Sequence, residues 1–218
     1  MIGTNGSPPA VGRKGQIVAR AAELFDSHGY YVASMEDIAA AVGIAKPTLY
    51  HYFKSKNDIL YAIHEEFIDL LIAEHATRVV AQPGISTDEC LLGVMQDILQ
   101  LMRTHRGHVR VFFENHRNLQ GVKQDEIRTK RDAYTQTVTD LLHKGLSEGE
   151  FDCDPAVAAL ALFGMCNWAY QWYDAGGVLT TDDLAIRFWQ ILRSGIAPSA
   201  PAQSAKRRVP SARQPATR

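Results

Sequence analysis

Apolar residues recur every three to four positions almost without a break from Gly12 to Gly195, and no stretch alternates in the two-residue rhythm of a strand. That periodicity restricts the chain to an all-α fold. Ile17, Val18, Ala21, Leu24 and Phe25 form one stripe of a first helix that stops at Gly29. Ser34-Met-Glu-Asp37 has capping-box spacing and opens a second helix carrying Ile38, Ala39 and Val42. Gly43 turns the chain, and Ala45 to Phe53 reads as a third, short helix. Ser55-Lys-Asn-Asp58 repeats the capping spacing ahead of a long fourth helix with Ile59, Leu60, Ile63, Phe67 and Leu70 inward, ended by Pro83-Gly84. Periodic stretches follow at 87–103, 107–117 and 123–148. Asp154-Pro155 then opens a helix expected to run to Asp174, and Thr180-Thr-Asp-Asp183 caps a last one through Gly195. The expectation is nine helices.

Residues 1–12 are rich in Gly and Pro. Residues 198–218 are rich in Pro, Ala and Ser and carry five basic and no acidic side chains. Neither segment holds enough apolar surface to offset the entropy of ordering, so both read as disordered tails. Between them lie a head, 13–57, and a body, 58–197. The net charge of −1 is unevenly spread: the head has six basic and four acidic residues, the body twelve and twenty. A polyanion would be drawn to the head and the basic tail and repelled by the body. Cys90, Cys153 and Cys166 are too irregular for a disulfide framework or a metal knuckle. The start of the chain lacks the features of a secretion signal. The longest apolar run, Ala156–Cys166, is 11 residues against the roughly 20 that span a bilayer. A soluble, cytoplasmic protein with no membrane partner is expected.

Three short helices followed by a long one have the proportions of a helix-turn-helix domain. Ala39 permits close approach of the second and third helices, Gly43 a positive φ in the turn, and Leu49 and Phe53 anchor the third helix inward. Lys46, Pro47, Thr48, Tyr50, His51 and Tyr52 are left on or beside its outer side. Eight residues of helix span about 12 Å, enough to lie in a major groove about 12 Å wide. Lys46 and Thr48 are placed to reach base edges, and Tyr50 and His51 to donate to phosphates. Lys56 adds a charge at the start of the fourth helix, and that helix N-terminus, like the one at Ser34, is suited to a phosphate.

The run from Ser34 to Leu60 resembles the DNA-binding domain of TetR-type repressors, whose hallmark Leu-Tyr-x-x-Phe-x-x-Lys stands here as Leu49, Tyr50, Phe53 and Lys56. The resemblance covers about 13–60, with all spacing of the motif intact. It implies DNA contacts from Thr48, Tyr50, His51 and Lys56. Pro47 replaces a small residue common in the family. It further implies a homodimer on double-stranded operator DNA, helices five to eight enclosing a small-molecule effector, and the last two helices pairing in a dimeric four-helix bundle.

In the body, residues 155–173 are hydrophobic nearly all round, as in a helix covered on both sides. Phe163, Asn167 and Gln171 fall on one stripe; Val157, Ala161, Met165, Trp168 and Trp172 form another. Buried amides need partners, which a ligand, a partner subunit or neighbouring backbone could each supply. The stretch Phe163 to Tyr173, then Gly177-x-Leu-Thr180, looks like a TetR subgroup that regulates fatty-acid or steroid-ring breakdown, which implies an acyl-coenzyme A effector. Arginines found on this helix in some relatives are absent here, so a phosphate contact would have to come from elsewhere. The run Arg103 to Arg110, with Arg117, concentrates positive charge at an expected pocket mouth, and Phe112, Phe113 and Tyr134 are candidate walls. The bland reading of these features is a solvated helix connection and ordinary core.

Two other classes compete. An enzyme lacks support, because no nucleophile elbow, phosphate loop or dinucleotide loop is found; no catalytic residue and no cofactor is expected. His105 and His108, with Glu114 and His116 nearby, have the spacing of one helix face but no fixed further ligand, so no metal is expected. A constitutive DNA-binding factor would need no pocket, and the long helical body exceeds what dimerisation demands.

Overall fold

A computed structural model describes residues 12–198. The tails at 1–12 and 198–218 therefore fall, except for Gly12 and Pro198, outside the described residues. Within them the chain forms nine α-helices and no strand: α1 (Arg13–His28), α2 (Met35–Val42), α3 (Lys46–Tyr52), α4 (Lys56–Ala81), α5 (Thr87–Thr104), α6 (Arg106–Asn115), α7 (Val122–Ser147), α8 (Pro155–Trp168) and α9 (Thr181–Ile196). Short 3-10 turns follow α6 (His116–Asn118) and α8 (Ala169–Gln171).

Local chemistry sets most of these boundaries. Ser34 and Asp37 form a reciprocal capping box at α2, as do Ser86 and Glu89 at α5 and Thr180 and Asp183 at α9. Gly43 ends α2 in the left-handed region at φ 70°, where a side chain would strain the backbone. The box expected at α4 is half made. The Ser55 hydroxyl accepts from the Asp58 N–H at 3.1 Å, while the Asp58 carboxylate is drawn off to pair with Lys123 of α7.

The helix from Pro155 is shorter than expected. It tightens into a 3-10 turn at Ala169 and ends there, instead of running to Asp174. Its other departure is that one side is open: Val157 and Leu160 are 61% and 68% exposed, and Trp168 is exposed too.

Helix α5 sits at the centre, touching α4, α6, α7, α8 and α9. Leu91, Val94, Met95, Ile98 and Leu99 bury its sides. Polar ties add direction to this packing. Asp88 of α5 accepts from Trp189 Nε1 at 3.1 Å and from Arg193 Nε at 2.8 Å, and Thr181 Oγ1 donates to Gln100 at 2.9 Å. No helix among the described residues is long and apolar enough to cross a membrane.

Candidate nucleic-acid interface and adjoining cavity

Leu49 is fully buried and Phe53 nearly so, anchoring α3 from its inner side, where it packs against α2. Burial of such side chains contributes about 1.5–3 kcal/mol each. The opposite side is bare: Lys46, Pro47, Thr48, Tyr50, His51 and Tyr52 are all exposed. The seven expected contact residues are not equivalent, however. The Lys46 ammonium pairs with Glu36 in the first turn of α2, an exposed pair that water and salt weaken. The Ser34 hydroxyl donates to Asp37 Oδ2 at 2.7 Å, so its proton serves its own helix.

Lys56 differs most from expectation. Its ammonium donates to the carbonyl oxygens of Tyr30 (2.6 Å), Tyr31 (3.2 Å) and Ala33 (2.8 Å) and lies 4.6 Å over the Tyr30 ring. Three acceptors use all three ammonium protons, and burial lowers the pKa of the group. Lys56 thus clamps the α1–α2 loop onto α4 rather than holding a free charge outward. The clamp leaves Tyr31 and Val32 exposed beside Ser34, two side chains for which periodicity gave no signal.

Helix α6 joins this head to the body. At its first turn, Gly107 lies so close to α1 that a β-carbon would sit 2.9 Å from the carbonyl carbon and oxygen of Ala22. One turn on, Arg110 pairs with Asp26 of α1 at 3.0 Å and with Glu114 at 3.2 Å. Below the helix, the Tyr31 hydroxyl donates to Asn118 Oδ1 at 2.5 Å and Asn57 Nδ2 to the Asn118 carbonyl at 3.0 Å. The far end of α6 carries Phe112, Phe113 and then His116 into the wall of a cavity.

That cavity encloses about 460 Å³. Its inner wall is formed by Phe67, Ile68 and Leu71 of α4, Ile98 of α5, Phe112 of α6, and Ile127 and Tyr134 of α7, all buried. Phe163 and Asn167 of α8 face it half-buried. His116, Arg131, Asp132 and Leu160 are exposed and mark its mouth. Five expected wall residues therefore come together: Phe112, Phe113, Tyr134, Phe163 and Asn167.

Three do not. Gln171 leaves the stripe because the 3-10 turn advances the chain by three residues per turn, which rotates it into solvent. Arg103 and Arg117 are exposed and away from the cavity wall, and Arg110 is occupied by two carboxylates. The guanidinium at the mouth belongs instead to Arg131, paired with its neighbour Asp132 at 3.2 Å. Its signal was present, since Ile127, Arg131, Tyr134 and Val138 share one helical stripe. Phe113 also stacks on Tyr170 of the 3-10 turn after α8, with centroids 5.2 Å apart.

The histidines hold no common site. His64 is buried with Nδ1 2.9 Å from the Leu60 carbonyl, and its ring lies 5.2 Å from Phe112. His105 and His108 meet edge to face, and His108 Nε2 is 3.7 Å from Glu66. Among the described residues no group of three or more metal-binding side chains is assembled.

Comparison with known proteins agrees with both halves of this architecture. The chain is 26% identical over 196 residues to the HTH-type transcriptional repressor KstR2 of Mycolicibacterium smegmatis, covering 88% of this chain and 94% of that protein. Its fold is similar to that of AibR in complex with isovaleryl coenzyme A and operator DNA, with a TM-score of 0.74, 28% identity, and 82% and 97% of the two chains covered. It is likewise similar to the TetR-family regulator PfmR of Thermus thermophilus, with a TM-score of 0.75, 25% identity, and 82% and 97% coverage. Residues 17–63 match the bacterial regulatory proteins of the tetR family, and residues 84–196, more than half of the chain, match the tetracyclin repressor-like C-terminal domain. With a helix-turn-helix head and a cavity-bearing helical body, the chain belongs to the tetR family of bacterial transcriptional regulators.

Proposed function

We propose that this protein is a ligand-responsive repressor that binds a palindromic operator as a homodimer and leaves it when an apolar effector, an acyl-coenzyme A thioester, enters the cavity. One observation carries the reading: α6 packs on α1 of the head through Gly107 and Arg110 and lines the cavity through Phe112 and Phe113. Whatever fills the cavity presses on the element that orients the reading head.

The chemistry of the parts supports the same assignment. Thr48, exposed on α3, is suited to base edges, and Tyr50 and His51 to phosphate oxygens, with Lys46 exchanging Glu36 for DNA. The cavity volume is within the usual range of small-molecule sites, and its wall is apolar. It suits an acyl group, with Arg131 at the mouth to meet a phosphate-bearing handle outside. Dimerisation fits the open side of α8 and α9, where Val157, Ala161, Met165 and Ile191 line an apolar groove of about 340 Å³. The subgroup resemblance and the isovaleryl coenzyme A bound by AibR favour a thioester as the effector.

Release requires the effector to bind more tightly to the form with misplaced heads, since equal affinity for both forms shifts nothing. The test is a thermal-shift panel of acyl-coenzyme A thioesters against their free acids, followed by operator footprinting with light scattering. A dimer that protects two half-sites and loses them at micromolar thioester is expected. A monomer on one half-site, or operator binding untouched by every ligand that raises Tm, would overturn the reading.

A further inference from the structure

We propose that Glu36 reads a cytosine in each operator half-site, its carboxylate accepting from the N4 amino group while Lys46 takes the paired guanine. The proposal rests on the reading of α3 as the helix that contacts operator DNA, and it adds an acidic residue of α2 to the groups that select the sequence.

The four carboxylates of the head are used differently. Glu23 pairs with Arg20 on α1 at 2.7 Å, Asp26 pairs with Arg110 of α6 at 3.0 Å, and Asp37 caps its own helix through Ser34. Glu36 alone reaches the reading helix. It is exposed in the first turn of α2 and pairs with Lys46, whose ammonium lies 6.0 Å from the Tyr50 ring. Glu36 therefore stands at the edge of the exposed surface that carries Lys46, Thr48, Tyr50 and His51.

A carboxylate in that place faces a polyanion. When Lys46 exchanges Glu36 for DNA, Glu36 loses its counter-ion, and an unmatched negative charge beside DNA opposes binding. An ionised carboxylate only accepts hydrogen bonds, so a donor on a base edge is what it needs. In the major groove cytosine N4 is such a donor, and the paired guanine presents O6 and N7 as acceptors for an ammonium. The two side chains thus offer an acceptor beside a donor, and a C·G pair offers a donor beside acceptors. The other amino group, adenine N6, lies next to the N7 acceptor, which repels a carboxylate.

Selection of binding sites from a library of random duplexes tests this with the full-length wild type, Glu36→Ala and Glu36→Gln. Fluorescence anisotropy on the selected site and its single-base-pair variants then gives the affinities. The wild type should select a C·G pair at a fixed position of each half-site, and replacing it should weaken binding about fivefold or more. In Glu36→Ala that position should become indifferent, while affinity for random DNA rises because a repulsive charge is gone. In Glu36→Gln the position should turn toward A·T, since an amide supplies both the donor and the acceptor that adenine N7 and N6 require.

A wild-type site with no fixed C·G pair overturns the proposal, and this result needs neither variant to fold. Retention of the wild-type preference in Glu36→Ala, or in Glu36→Gln without any gain for A·T, overturns it too and leaves Glu36 as a source of repulsion only. Glu36→Gln, equal in length and shape, decides where Glu36→Ala fails to fold. Selection of no common sequence by the wild type removes the operator reading itself, and the role of Glu36 with it.

Discussion

Gly107 and Ala22 are in backbone contact: a β-carbon on Gly107 would lie 2.9 Å from the Ala22 carbonyl carbon and oxygen. A helix that lines the cavity therefore touches the head without an intervening side chain. Gly107→Ala gains helix propensity of under about 1 kcal/mol but overpacks the joint, which typically costs about 1–3 kcal/mol. Because the atoms it would meet are backbone, the neighbour cannot rotate away and α6 must shift. Operator affinity is expected to fall, with a lower Tm, and fluorescence anisotropy on operator DNA measures it. Unchanged affinity together with a raised Tm would show that α6 does not set the position of the head.

Lys56 and Thr48 should behave differently although both lie near the reading surface. Lys56→Met removes a clamp that holds three carbonyls, and a stability loss of about 1–3 kcal/mol is expected from denaturant unfolding. The salt dependence of DNA binding should then stay near its original slope, because the ammonium is committed to the protein. Thr48→Ala should leave stability intact and relax base preference at one position of each half-site. A salt slope lowered by about one unit in Lys56→Met, without loss of stability, would return that charge to the DNA backbone.

Asn167 and Gln171 are four residues apart, yet the 3-10 turn between them places one at the cavity and the other in solvent. Asn167→Leu should alter the ligand concentration needed for operator release by several-fold, and Gln171→Leu should not. Titration of operator complexes with the best ligand of the thioester panel separates the two. Equal responses from both variants would mean that α8 does not present Asn167 to the ligand.

His64 gives the molecule an acid-labile point between α4 and α6. Burial first, and the nearby His116 charge also, depress its pKa to about 4, against the pull of the Leu60 carbonyl that its ring faces. Since the folded pKa lies below the unfolded value of 6.5, the unfolded chain takes up the proton first. Stability is present above pH 6.5 and is lost as pH falls toward 4, by up to about 3 kcal/mol. Urea unfolding between pH 7 and 4.5 should show this decline, and His64→Gln should flatten it. An equal slope in both proteins would remove His64 as its source.

The helices of this protein were legible in its sequence because their signals act within a turn or two. Ser34 with Asp37 and Thr180 with Asp183 sit three residues apart, and the stripe that buries Leu49 and Phe53 spans one turn. Such interactions form wherever the chain is helical, whatever surrounds it. The outward side of α3 followed by subtraction, as did the meeting of Phe112, Phe113, Tyr134, Phe163 and Asn167 once their stripes faced a common interior. Tertiary structure decided how charges and small residues are used. Lys56 finds its acceptors 23 to 26 residues away, Arg78 its carboxylate 19 away and Lys123 its partner 65 away. Gly107 reads as a helix-weakening residue until Ala22 is placed against it. Gln171 left its stripe because the chain after Trp168 tightens into a 3-10 turn, which a regular helical projection does not anticipate. Periodicity reports which side of a helix is apolar, but an ion pair or a backbone contact depends on which helices meet. That choice belongs to the packing of the whole chain.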